Sequence, residues 1–244
     1  MSATSPKYFT VGPSQLNPRL EEFLGRAMEE DIGSISHRGE RFQRLHTDLG
    51  NNLKKLFTVP EAYSVFYAGS ATEFMERVIQ NVSVKNTLHF TDGAFSKKFI
   101  EIAVKNGRDA ISVPAGGNGA GGGMFSLQDV PADASPELVC VTHNETSNGT
   151  VVSRDFLDSL RARFPKALIA LDIVSSAPVS DVDFSAADCI FFSVQKGFGL
   201  PAGLGVMFVS PAALEKARQI ESGGAQYTGS FHSFASLAKY AEKH

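Results

Sequence analysis

Lys196 follows the apolar run Asp188–Val194 (DCIFFSV) and precedes the glycine-rich GFGLPAGLG. A lysine at the desolvated end of a buried strand has a lowered pKa, as an amine that condenses with an aldehyde requires. The plain alternative is a solvated surface lysine. Asp172 closes a second apolar run, Ala167–Asp172 (ALIALD). A carboxylate buried there needs a cation or several donors, supplied either by the next turn or by a protonated ring nitrogen. Ser70, Ala71 and Thr72 follow Gly69 where a strand-like run becomes helical. Their amides would lie at a helix N-terminus, a natural anion site, although Ser70 as a simple cap explains the same residues. Thr142–Thr146 (THNET) ends a third run and sets the titratable His143 and Glu145 beside Asn144 and Thr146; by itself this is a polar loop. Phe95 opens a helix and offers either a flat stacking face or core packing. An amine, an anion for a ring nitrogen, a phosphate cradle and an aromatic face together make a site for an aldehyde-bearing aromatic cofactor.

Such groups act together only if one scaffold brings them to one edge. In an open α/β sheet, ligands bind beyond the carboxyl ends of the strands. Short apolar runs predict strands at Ser64–Gly69, Asn86–Phe90, Glu137–His143, Ala167–Asp172, Asp188–Val194 and Gly203–Ser210. Helical spacing of apolar residues predicts helices near Pro18–Met28, over Arg41–Phe57, Ala71–Val82, Phe95–Lys105 and Arg154–Phe164, and from about Ser233. In Arg41–Phe57 the stripe is Phe42, Leu45, Leu49, Leu53 and Leu56. The alternation indicates an α/β fold, a mainly parallel sheet flanked by helices. Residues 1–40 read as an N-terminal arm and substrate loop, and 41–244 as one large domain. The last helix has neither cap nor stop signal, so the expectation is a portion of a longer protein.

Composition excludes several classes. The 244 residues carry 23 Lys+Arg against 26 Asp+Glu, net −3, with no basic block, which argues against nucleic acid as a partner. No signal peptide or membrane-length apolar stretch stands out. Cys140 and Cys189 sit in strand-like runs and read as small buried hydrophobes; no metal-ligand spacing occurs. A reduced, cytoplasmic protein is expected. Ala115–Gly123 (AGGNGAGGG) has no Lys-Ser/Thr after it and reads as a surface loop, not a phosphate loop.

The segments Thr10–Ser14, Ser36–Gly39, Ala68–Thr72, Gly93–Lys97, Asn144–Thr146, Asp172–Ser176, Gln195–Lys196 and Pro201–Gly203, in that order, resemble the class V aminotransferases. Within that family they are most similar to the branch acting on phosphoserine. The resemblance implies fold type I of the pyridoxal 5′-phosphate (PLP) enzymes, working as a homodimer with shared active sites. It implies that Lys196 forms the Schiff base and Asp172 pairs with the pyridine nitrogen. Ser70, Ala71 and Thr72 would cradle the phosphate with Gln195 close by, and Thr146 would touch the ring side. Phe95 would stack on the ring, where that branch usually has tryptophan; this chain has none. His37 and Arg38 would bind substrate in the neighbouring subunit's site. The cradle reads Gly-Ser-Ala-Thr where Gly-Gly-Ala is more usual, and the family's small C-terminal domain is not in the sequence. The implied reaction moves an amino group between an amino acid, phosphoserine with glutamate, and a 2-oxo acid. A serine-, alanine- or glyoxylate-type aminotransferase is the nearest rival. A cysteine desulfurase, which usually has His before the lysine, and a non-catalytic scaffold stand further off.

Overall fold

The computed structural model describes residues 7–116, 125–179, 182–224 and 226–241; most of the glycine-rich run Ala115–Gly123 therefore lies outside the described residues. In chain order the elements are α1 (Leu20–Glu29), α2 (Glu40–Phe57), β1 (Ser64–Ala68), α3 (Ala71–Val82), β2 (Asn86–Thr91), α4 (Ala94–Lys105) and β3 (Asp109–Pro114). They continue with β4 (Leu138–Thr142), the hairpin β5 (Asn144–Glu145) and β6 (Thr150–Val151), α5 (Arg154–Arg163), β7 (Leu168–Asp172) and β8 (Cys189–Ser193). The last are β9 (Gly205–Val209), α6 (Pro211–Gly223) and α7 (Phe234–Ala241).

Seven strands form one sheet in the order β1-β9-β8-β7-β4-β2-β3. Strands β3, β2, β4, β7 and β8 run parallel, β9 is reversed against β8, and β1 is reversed against β9. Six strands thus point the same way, and the mainly parallel sheet expected from the apolar runs is observed. Crossover helices α3, α4 and α5 start from serine caps or tight turns. Ser70 accepts from Glu73 N–H and Ser153 from Phe156 N–H, which satisfies first-turn donors.

Two cores result. Helices α3, α4, α6 and α7 cover one face with Phe74, Val78, Ile79 and Phe99. The end of α2 and α5 cover the other with Leu53, Phe57, Leu157 and Leu160. Side chains alternate across the strands: Leu138 and Cys140 of β4, Leu168 and Ala170 of β7, and Cys189 and Phe191 of β8 all face α3 and α4. Continuing that alternation, the same face ends in Thr142, Asp172 and Ser193. The apolar core therefore gives way to a polar row at the carboxyl edge of three neighbouring strands.

Four elements depart from the expectation. Strand β3 buries only Val113, so it lacks the apolar run that marks the others, and α6 was hidden in a mixed polar stretch. The α2 stripe is only partly covered: Leu53 and Phe57 are buried, whereas Leu45, Leu49 and Leu56 are exposed. Helix α1 buries nothing and exposes Phe23, Leu24 and Met28. Among the described residues no helix is long and apolar enough to cross a membrane.

Candidate active site

The carboxyl ends of β1, β2, β4, β7 and β8 meet at one edge, and the expected groups sit there. Asp172 is 3% exposed and accepts a 2.8 Å hydrogen bond from Val174 N–H. Burial drives its carboxyl up to about 7, with Glu145 adding to the rise and the Val174 amide and Lys196 opposing it. An ionised carboxylate there calls for a cationic partner. Lys196, on the turn after the neighbouring strand β8, is half-buried. Burial pulls its ammonium below the usual lysine range, against the raising effect of Asp172. Its Nζ donates to Val11 O at 2.6 Å and lies 6.0 Å from the Phe95 ring centroid.

Phe95 is 37% exposed, so it is not a core residue; its ring faces the edge beside Lys196. What fixes it is Glu145, a residue that sequence reasoning left in a polar loop. Glu145 is 2% exposed and accepts from Ser96 N–H at 2.9 Å, Phe95 N–H at 3.1 Å and the hydroxyls of Ser96 and Ser147 at 3.0 and 2.7 Å. Burial pushes its pKa up, but these donors outweigh burial and hold the carboxyl below the usual range. The carboxylate thereby caps α4 in place of a conventional N-cap side chain. A Cβ on Gly93 would collide with Glu145 and Ser147, so this seat needs glycine. The Gly93…Asn-Glu-Thr pairing was the available signal.

At the start of α3, one expectation is corrected. The Ala71 amide, expected on a phosphate, donates instead to Ser193 Oγ at 2.8 Å. The cause is close approach: a Cβ on Gly205 of β9 would lie 2.7 Å from Ser70 C and 3.0 Å from Ala71 N. Its absence lets α3 settle onto the strand ends within reach of Ser193. The Glu73 amide is capped by Ser70 Oγ. Among the described residues the Ser70 and Thr72 amides meet no protein acceptor. Gly205→Ala should therefore lower stability by about 1–3 kcal/mol through overpacking, read as a lower melting temperature, and weaken phosphate binding with it.

The arm reaches the site. Ser14 N–H donates to Gln195 O at 2.8 Å, Ser14 Oγ to Lys196 O, and Asn17 N–H to Gly199 O at 2.7 Å. Arm and lysine loop line a cleft of about 490 Å³ that includes Ser14, Asn17, Lys196 and Gly199. The Gln195 side-chain oxygen is buried without a hydrogen-bond partner. Thr146 is half-buried in the turn of the β5–β6 hairpin. His143, buried, shares a hydrogen bond with Ser176 Oγ at 2.9 Å, a structural arrangement. His37 and Arg38 are exposed in the turn before α2, and no described hydrogen bond or ion pair joins them to Lys196 or Asp172.

The family model described as "Aminotransferase class-V" matches residues 2–239. The chain belongs to the class-V aminotransferase family. Among its relatives, the phosphoserine aminotransferase of Rhodococcus opacus is 32% identical over 219 residues, covering 88% of this chain and 56% of that protein. The solved phosphoserine aminotransferase of Cytophaga hutchinsonii superposes with a TM-score of 0.90 at 39% identity, over 97% of this chain and 64% of that one. An aspartate aminotransferase from Thermus thermophilus follows at TM-score 0.74 and 25% identity, over 98% and 70%. The chain thus spans between about half and two thirds of the phosphoserine enzymes it matches. The likeness to the two solved structures extends over nearly the whole of this chain.

Proposed function

We propose that this chain is the cofactor-binding part of a PLP-dependent aminotransferase acting on phosphoserine with glutamate and 2-oxoglutarate. The observation that carries the reading is the pairing, at the ends of adjacent strands β7 and β8, of a buried carboxylate that forms no ion pair among the described residues with a half-buried amine facing an aromatic ring. The remaining residues fit the same group. The Ser70 and Thr72 amides, backed by Gln195, suit a phosphate; Phe95 suits a pyridine face; Thr146 lies to the ring side. When bound, PLP supplies an aldehyde for amine capture and a ring that accepts electrons. Lys196 would be the amine that holds that aldehyde and, with substrate bound, the base that would move the proton at the substrate's Cα. Asp172 holds the proton on the ring nitrogen. Glu145 holds Phe95 in place.

His37 and Arg38 favour an anionic substrate, because an arginine forks onto phosphate oxygens. They lie between α1, which buries nothing, and α2, whose apolar stripe is covered only toward its end. A second copy covering that face would receive the pair, which supports a homodimer with shared sites. The serine-, alanine- or glyoxylate-acting rivals lack a use for this pair.

The test is direct. Protein mixed with PLP, reduced with borohydride and digested should carry the cofactor's carbon on Lys196 Nζ. An adduct on another lysine, or none, removes the reading.

A further inference from the structure

We propose that Thr142 is a positioning residue of this site, its hydroxyl donating to Asp172 and so aiming that carboxylate at the cofactor's ring nitrogen. The inference rests on the proposed cofactor site and adds a residue to it.

Thr142 ends β4, and its register partner on the parallel strand β7 is Asp172. Adjacent strands lie about 4.8 Å apart. Alternation puts both side chains on the face covered by α3 and α4, since Cys140 and Ala170, two residues earlier on each strand, belong to that core. Thr142 is 6% exposed, and its Oγ1 has no hydrogen-bond partner. Buried hydroxyls are nearly always paired, so each exception calls for a cause.

The neighbours in the polar row are already engaged. Ser193 Oγ accepts from Ala71 N–H, and Thr91 Oγ1 pairs with Ser112 Oγ at 2.8 Å. Asp172 has one described donor on its carboxylate, the Val174 amide on Oδ1, whereas an ionised carboxylate takes about four. A rotation of Thr142 about χ1 joins a hydroxyl with no partner among the described residues to an under-filled acceptor on the adjacent strand. Donation to the charged form favours that form. Thr142 therefore matters most when Asp172 is ionised, which is when a protonated ring nitrogen faces it. A threonine present only as a strand former would show no such dependence on the ligand's ring.

The experiment compares wild type, Thr142→Val and Thr142→Ser for equilibrium binding of two probes: PLP, and its carbocyclic analogue with C–H in place of the ring nitrogen. Valine keeps the shape and removes the hydroxyl. The expected result is about a tenfold weaker PLP complex in Thr142→Val, with the analogue unaffected, and PLP affinity restored in Thr142→Ser. The absorption band of bound PLP should shift in the valine variant and return in the serine one. Equal weakening of both probes, or none of either, overturns the role, as does a folded serine variant that behaves like valine. If wild type takes up neither probe, the cofactor site itself fails, and this assignment with it.

Discussion

Asp172→Asn should slow removal of the substrate's Cα proton by about a hundred- to thousandfold while making the cofactor-free protein more stable above pH 7. Both effects come from one buried charge. An asparagine fills the same space but brings no negative charge to hold a proton on the ring nitrogen. In the folded chain burial pushes the wild-type carboxyl up to about 7, against 3.8 for a solvated aspartate. The folded state therefore binds the extra proton between those values. Stability is favoured while the carboxyl stays protonated and is lost as pH rises toward and past about 7. The cost of ionising it is on the order of 4 kcal/mol at most. Melting temperatures of the two proteins should converge near pH 4 and separate at pH 8, with the variant higher. Single-turnover mixing with an amino acid, followed by absorbance, measures the rate. A variant that melts below wild type at pH 8 and turns over normally would remove both roles.

Lys196→Ala should abolish the borohydride-stable adduct and lower turnover by on the order of 10⁴-fold or more, since one amine serves as nucleophile and as proton carrier. Non-covalent PLP binding should survive, because the Ser70 and Thr72 amides and Phe95 do not depend on the lysine. Added methylamine should recover part of the rate by standing in for the missing amine. The substitution also deletes the cation that lowers Asp172, so the variant's carboxyl should hold its proton to higher pH. Loss of PLP affinity matching the loss of rate would mean that Lys196 is a binding residue alone.

Much of this was legible in residues 64–210. Asp172 and Lys196 follow runs so apolar that only a buried strand explains them, and the polar residue ending such a run must face the edge where strands stop. Phe95 was placed from its helix start. Glu145 was not, because its role is long-range: it caps a helix that begins fifty positions earlier, and nothing local distinguishes it from a loop carboxylate. The Ala71 amide was misread for a similar reason. Its partner Ser193 is far off in the sequence and reaches it only because Gly205 on the intervening strand lacks a side chain. Strand β3 escaped notice because an edge strand buries one residue in six. The exposed stripe on α2 reads from sequence as core, whereas the single chain leaves it to be covered by something else.

The pairing of β1 with β9 bears on how the molecule reaches its native state. Strand β1 has one neighbour in the sheet, and that neighbour is the last strand made: Ser64 lies across from Val209 and Ala68 from Gly205. The start of α3 follows β1, and Lys196 precedes β9, so these two parts of the edge join only when strands far apart in the sequence meet. Contacts of such high sequence separation form late and slowly. A nascent chain that has emerged as far as the Lys196 turn owns the amine and the carboxylate, but the start of α3 is not yet fixed beside them. Cofactor capture is then a clock for the final pairing step, and its appearance in a refolding experiment marks completion of the sheet rather than its onset.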